Sequence, residues 1–288
     1  MIDCTLPVSI KRLKEISLYP VIRMGVRGVR VNMKFYSAEL AADVQLFARY
    51  HTRNLQQSAD QTEVMAIRDQ HLLDHSHRRF LLMPASEVQG RLKKGRHIIA
   101  AWDSIQDGHG DQGSEYHNAL RTAHERYRML YEDQQRQQAD QSYIEGISTS
   151  IARMPLATRL EIDESSSSRF DRRSSDKAFL RWIESTESLV RGMLAPITWR
   201  EARDCDLECP TSDILINLPI AIHRAGRFLA AYYVGSSLLE DPFATNSEDD
   251  FLVFSVAMQK LKTFSFCPCE VPDTDHWSSE GSMSRIRM

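Results

Sequence analysis

The run SIARMPLATRLEI, residues 150–162, puts a helix stop and a strand start within a few residues of each other. Ile151 closes a segment with helical apolar spacing, and Met154–Pro155 follows. Proline has no amide donor and pushes the residue before it out of the helical region, so the sequence predicts a helix end here. LATRLEI then alternates apolar and polar residues, the period of a half-buried strand.

The junction recurs. LYPVIRMGVRGVRV (18–31), NLPIAIHRAGRFLAAYYV (217–234) and MQKLKTFSF (258–266) each join a helix-like segment to an alternating one. Counting RMPLATRLEI, three of the four joins carry a proline. The strands are expected near residues 29, 160, 229 and 264, with Val29, Val31 and Met33 on one face of the first and Arg30 and Asn32 on the other. Strand–helix units that cannot bury their faces alone must stack. LATRLEI and QKLKTFSF also resemble the strand part of a leucine-rich repeat. The spacing is irregular, so two readings stand: a heavily inserted repeat protein, or an α+β domain with similar junctions.

Between the strands the pattern is helical. A short helix through Ile10, Leu13 and Ile16 should stop at Pro20. Further helices are expected at 37–57 with Ser37 as N-cap, at 62–82, and at 86–106. A long run follows from 115 to about 153 through the polar stretch EDQQRQQADQ, then a helix at 177–194. Another begins at Thr211 or Ser212, is interrupted near Pro219 and ends at Gly226; EDDFLVFSVAMQ is also helical. QDGHGDQGS (106–114) reads as a loop. The expected fold class is α/β, mostly helical: an irregular leucine-rich-repeat-like stack with long helical insertions. It forms one domain over 1–267, with a mobile loop at 164–176 and a disordered tail at 268–288.

The chain has 288 residues, 42% hydrophobic and 26% charged, enough for a sizeable core. A net charge of −3 gives no basic footprint, so no nucleic-acid partner is expected. No apolar run reaches membrane-spanning length, so no membrane partner is expected either. Five cysteines, an odd count without a signal peptide, point to reduced thiols and an intracellular location, cytoplasmic or nuclear.

LKEISLYPVIRMGVRGVRVNMKFYSAELAADVQLFARYHTRNL, YRMLYEDQQRQQ…IARMPLATRLEI and PITWREARDCDLECPTSDILINLPIAIHRAG together resemble, over most of residues 10–266, the region that follows the F-box in fungal F-box-like proteins of unknown substrate. The resemblance implies a repeat part that selects a protein for ubiquitination and an F-box that binds the Skp adaptor of a ubiquitin ligase. Before the matching segment this sequence offers only a Leu6–Pro7 pair, so the F-box itself is expected to be absent and adaptor binding is expected only of a longer form.

Candidate chemistry is sparse. His71 and His75 stand at i and i+4, with His77 nearby, a spacing that can hold a metal but reads here as a solvated helix face. Cys205, Cys209, Cys267 and Cys269 lack the spacing of a zinc ribbon and read as free thiols. Asp103, Asp107, His109 and Asp111 cluster around the Gly-rich loop, an arrangement that can serve acid–base chemistry but reads here as an ordinary loop. GVRG (25–28) is neither a P-loop nor a dinucleotide fingerprint. Arg23, Arg27, Arg30 and Lys34 form a basic run in which Arg30 and Lys34 should share a strand face. RRSS makes Ser174 and Ser175 candidate phosphorylation sites. Trp102, Tyr116, Tyr127, Trp182, Trp199, Tyr232 and Tyr233 read as packing residues. No catalytic residue, metal ligand or cofactor is expected. The function predicted is a protein–protein interaction module, possible ubiquitin-ligase substrate receptor. The alternatives are a small-molecule enzyme with a scattered site, or a truncated fragment exposing the Leu261–Phe266 strand edge.

Overall fold

The computed structural model describes residues 2–3, 7–71, 84–106, 115–139, 142–163, 178–210, 213–236 and 248–268. The loop expected at 164–176 and all but Pro268 of the expected tail lie outside these residues. The described chain divides into two compact units, the first built from Met1–Phe35, Asp133–Ser166 and Pro196–Met288 and the second from Tyr36–Glu132 and Ser167–Ala195.

The first unit is built on a parallel sheet. Its strands are β1 (Ile2–Asp3), β2 (Gly28–Asn32), β3 (Arg159–Asp163), β4 (Ala231–Ser236) and β5 (Thr263–Pro268), and they lie side by side in sequence order. Each pair is parallel, which requires a crossover between neighbours. Helices α1 (Pro7–Leu18) and α2 (Pro20–Arg23) follow β1. The next strands are preceded by α7 (Ser142–Ala152), by α10 (Trp199–Asp204) with α11 (Ile214–Arg224), and by α12 (Glu248–Met258). α1 packs on α7, α7 on α11 and α11 on α12, so the helix order repeats the strand order. One face of the sheet is apolar. Val29, Leu160, Tyr232 and Phe264 align across the strands, and Val31, Ile162, Val234 and Phe266 form the next row. All but the two phenylalanines are buried, each contributing on the order of 1.5–3 kcal/mol. This is the α/β, mostly helical class that the junctions predicted.

The junction prolines behave in three different ways. After α7 the chain turns through Met154, whose amide donates to the Ile151 carbonyl, and Pro155 follows as the expected stop. Pro20 ends α1, with Tyr19 extended as expected before a proline, but it also opens α2, where its missing donor costs nothing. Pro219 does not interrupt its helix, contrary to the sequence expectation: α11 runs unbroken through it. The reason is tertiary. The carbonyl that residue 219 would serve is that of Leu215, and the Tyr232 hydroxyl on β4 donates to it instead, at 2.7 Å. α11 closes as expected, with Gly226 at φ 80° and the paired bonds Gly226 N to His223 O and Arg227 N to Ile222 O. Its expected caps, Thr211 and Ser212, lie outside the described residues.

The second unit contains α3 (Ala38–Ala42), α4 (Val44–His71), α5 (Ala85–Gln106), the first part of α6 (Glu115–Ala139), α8 (Ala178–Trp182) and α9 (Thr186–Met193). Ser37 caps as predicted, accepting from Leu40 N. The helix it starts ends at once, because Asp43 takes an extended backbone and its carboxylate accepts from Gln45 and Leu46 to start α4. The helix expected at 37–57 is therefore α3 and the start of α4, which runs on into the helix expected at 62–82 as far as His71; the rest of that expected helix, 72–82, lies outside the described residues. The single helix expected at 177–194 is two, parted where Ser185 caps α9. Phe47, Trp102, Tyr127, Leu120 and Phe179 form the core of this unit. Among the described residues no helix is long and apolar enough to cross a membrane.

Candidate functional site

The second face of the first unit's sheet is polar and half-open. Strand alternation puts Gly28, Arg30 and Asn32 of β2 on it, with Arg159, Glu161 and Asp163 of β3 and Ala231, Tyr233 and Gly235 of β4. Register then fixes the neighbours: Arg30 stands beside Glu161, Glu161 beside Tyr233, and Tyr233 beside Ser265. The Arg30 guanidinium reaches Glu161 at 3.4 Å through Nε and bonds the Asp163 carboxylate through its other end. Arg159 pairs with Glu161 at 3.1 Å and stacks over the Tyr233 ring, 4.5 Å from its centroid. Gly235 leaves room for Asp163; a Cβ there would stand 3.2 Å from the carboxylate oxygen.

The side chains of Arg30, Glu161 and Asp163 are 25, 27 and 14% exposed, and that of Arg159 is 54%. The Arg159–Glu161 pair is the most solvent-exposed of the three, and a pair of that kind contributes only about 0–1 kcal/mol. The network brings two guanidinium groups, two carboxylates and a phenol ring together on one sheet face. Arginine and tyrosine are the side chains that dominate binding energy at protein interfaces.

A pocket of the same unit, with about 470 Å³ of empty space including its open mouth, is lined by Lys34, Phe35, Gln137, Tyr143, Trp199 and Ile214 among others. The Gln137 carbonyl oxygen and the Trp199 indole nitrogen are buried and have no hydrogen-bond partner.

The residues singled out from the sequence fall as follows. Arg30 lies on the polar sheet face; β2 ends at Asn32, and Lys34 lines the pocket instead. Arg27 is exposed and Arg23 half-buried. Asp103 is exposed on α5, while Asp107, His109 and Asp111 lie outside the described residues. His71 ends α4, and His75 and His77 lie outside the described residues. Cys205 is half-buried, Cys209 exposed with its sulfur 3.7 Å from the Trp199 carbonyl, Cys267 on β5, and Cys269 outside the described residues. Ser174 and Ser175 also lie outside them. Among the described residues no cluster of His, Cys, Asp and Glu could hold a metal. Of the aromatics, Trp102, Tyr127, Trp199 and Tyr232 are core residues, Tyr116 and Trp182 are half-buried, and Tyr233 faces outward on the sheet. The sequence reading missed Arg159, Glu161, Asp163 and Tyr233 as a group. Its available signal was the charged phase of RLEID, which sits beside the charged phase of GVRVN.

No protein-family model, curated protein or solved structure matches the chain.

Proposed function

We propose that this chain is a protein–protein recognition module, built as an irregular leucine-rich-repeat-like stack and using the polar sheet face to read a protein partner. The observation that carries the reading is the fixed Arg30–Glu161–Asp163–Arg159–Tyr233 network on a half-open face. An in-order parallel sheet with helices in the same order supports the stack, since stacked repeats present such a face to their partners. In this reading the chain performs no catalysis of its own. The resemblance of its sequence to the region after the F-box supports a role as the substrate-recognition part of a ubiquitin-ligase subunit, with the Skp adaptor bound only by a form that carries an F-box.

The test is affinity purification of the tagged protein beside Glu161→Lys and Tyr233→Ala variants. Partners that co-purify with the parent chain and are lost from both variants, at unchanged thermal stability, support the proposal. An identical partner set for parent and variants removes the sheet face as the recognition surface.

A further inference from the structure

Residues 18–24, LYPVIRM, put Leu18, Tyr19, Val21, Ile22 and Met24 into solvent, between 48 and 78% exposed, with Val21 the most exposed. α2 buries none of its residues. On α1 the buried side is formed by Leu13 and Ser17. The opposite side carries Lys11, Lys14 and Leu18, which follow at i, i+3 and i+7 and share a face, with Val8 at 73% exposure and Glu15 as the one acid. Arg12 and Arg27 are exposed nearby. A local group of four exposed cations and one carboxylate stands out in a chain whose net charge is −3.

The charge decides between occupants. Lysine is depleted at protein interfaces, whose binding residues sit in well-packed pockets. Protruding aliphatic side chains beside lysines suit a bilayer instead. The apolar tips enter the boundary between headgroups and acyl chains, tyrosine sits at headgroup level, and the cations meet anionic lipid. We propose that α1 and α2 form a peripheral membrane-contact surface, inserting Tyr19, Val21, Ile22 and Met24 into a bilayer rich in anionic phospholipid with Lys11 and Lys14 on its headgroups. The absence of a membrane-spanning run, from which no membrane partner was expected, does not bear on such a surface contact. The proposal is independent of the sheet-face reading, which uses β2, β3 and β4.

The test is flotation of the full chain with phosphatidylcholine vesicles, with and without phosphatidylserine. The expected result is binding to the phosphatidylserine vesicles only, weakened by salt. Two double variants, Val21→Ser with Ile22→Ser and Lys11→Glu with Lys14→Glu, should each weaken binding by about tenfold or more. All four side chains are exposed, so the melting curve should match that of the parent, and the salt titration on the unaltered chain gives a readout that needs no variant. No binding above the phosphatidylcholine background, binding insensitive to salt, or binding kept by either double variant overturns the proposal and leaves the patch to a protein partner.

Discussion

The Tyr232 hydroxyl donates to the Leu215 carbonyl at 2.7 Å, filling the acceptor that Pro219 leaves without its helical donor. The bond is buried, and burial also raises the phenol pKa, so the hydroxyl remains a donor at any physiological pH. Two sequence-distant choices, a proline inside a helix and a tyrosine on a strand, are therefore one structural device that locks α11 to β4.

Tyr232→Phe should cost about 1–3 kcal/mol, the penalty of a buried carbonyl left unpaired. In a Pro219→Ala background the restored amide serves Leu215 from within the helix, and the same substitution should cost markedly less. Urea denaturation of the four proteins of this double-mutant cycle measures the coupling. Equal costs in both backgrounds would show that the hydroxyl does not substitute for the missing amide.

Two helical glycines should respond in opposite directions. A Cβ on Gly192 of α9 would overlap the Trp182 indole, so the ring would have to shift. Gly192→Ala should therefore destabilise by about 1–3 kcal/mol despite its better helix propensity. Gly90 of α5 is exposed, and an added Cβ there meets nothing within 4 Å. Gly90→Ala should stabilise by roughly 0.5–1 kcal/mol through propensity alone. Denaturant midpoints for the pair check both signs.

His51 sits wholly inside the second unit, against Phe47, Tyr50 and Trp182, with no partner for either ring nitrogen. Burial lowers its pKa from the ordinary 6.5 to about 3. Below pH 6.5 the unfolded chain takes up a proton that the folded chain refuses. The resulting stability is fully present above that pH and is lost as pH falls toward 3, at up to about 1.4 kcal/mol per pH unit. His124, packed on the same Phe47, is lowered chiefly by burial and adds in the same direction. His51→Met should flatten the stability–pH curve between pH 6.5 and 4; a slope equal to that of the parent would assign the acid sensitivity elsewhere.

Four of the five strands were legible because a period of two needs only a few residues to declare itself: β2, β3, β4 and β5 all fall on alternating runs, whereas the two-residue β1 is too short to show a period. Helix breaks were not. Asp43 and Ser185 divide segments whose apolar period runs straight across them, because a side-chain cap competes locally with continuation. Pro219 misled for the opposite reason: its effect was cancelled by Tyr232, which no local pattern reveals. The polar sheet face was half-visible. Each strand shows its charged phase, but that Arg30 lies beside Glu161 follows only from the register between strands more than a hundred residues apart.

That register makes one further expectation specific. Glu161 and Asp163 lie two apart on one strand face, and Arg30 is the side chain that bridges them. Arg30→Met keeps the apolar stem but removes the cation between the two neighbouring carboxylates, while Arg159 still pairs with Glu161. Stability should fall by about 1 kcal/mol at low salt, and the deficit should shrink at high salt as the repulsion is screened. Arg30→Lys should not restore it fully, because an ammonium lacks the planar fork that spans both carboxylates. Melting temperatures of the three proteins across a salt series test this. A deficit that does not change with salt would mean that Arg30 acts through packing, and that the network is not an electrostatic platform.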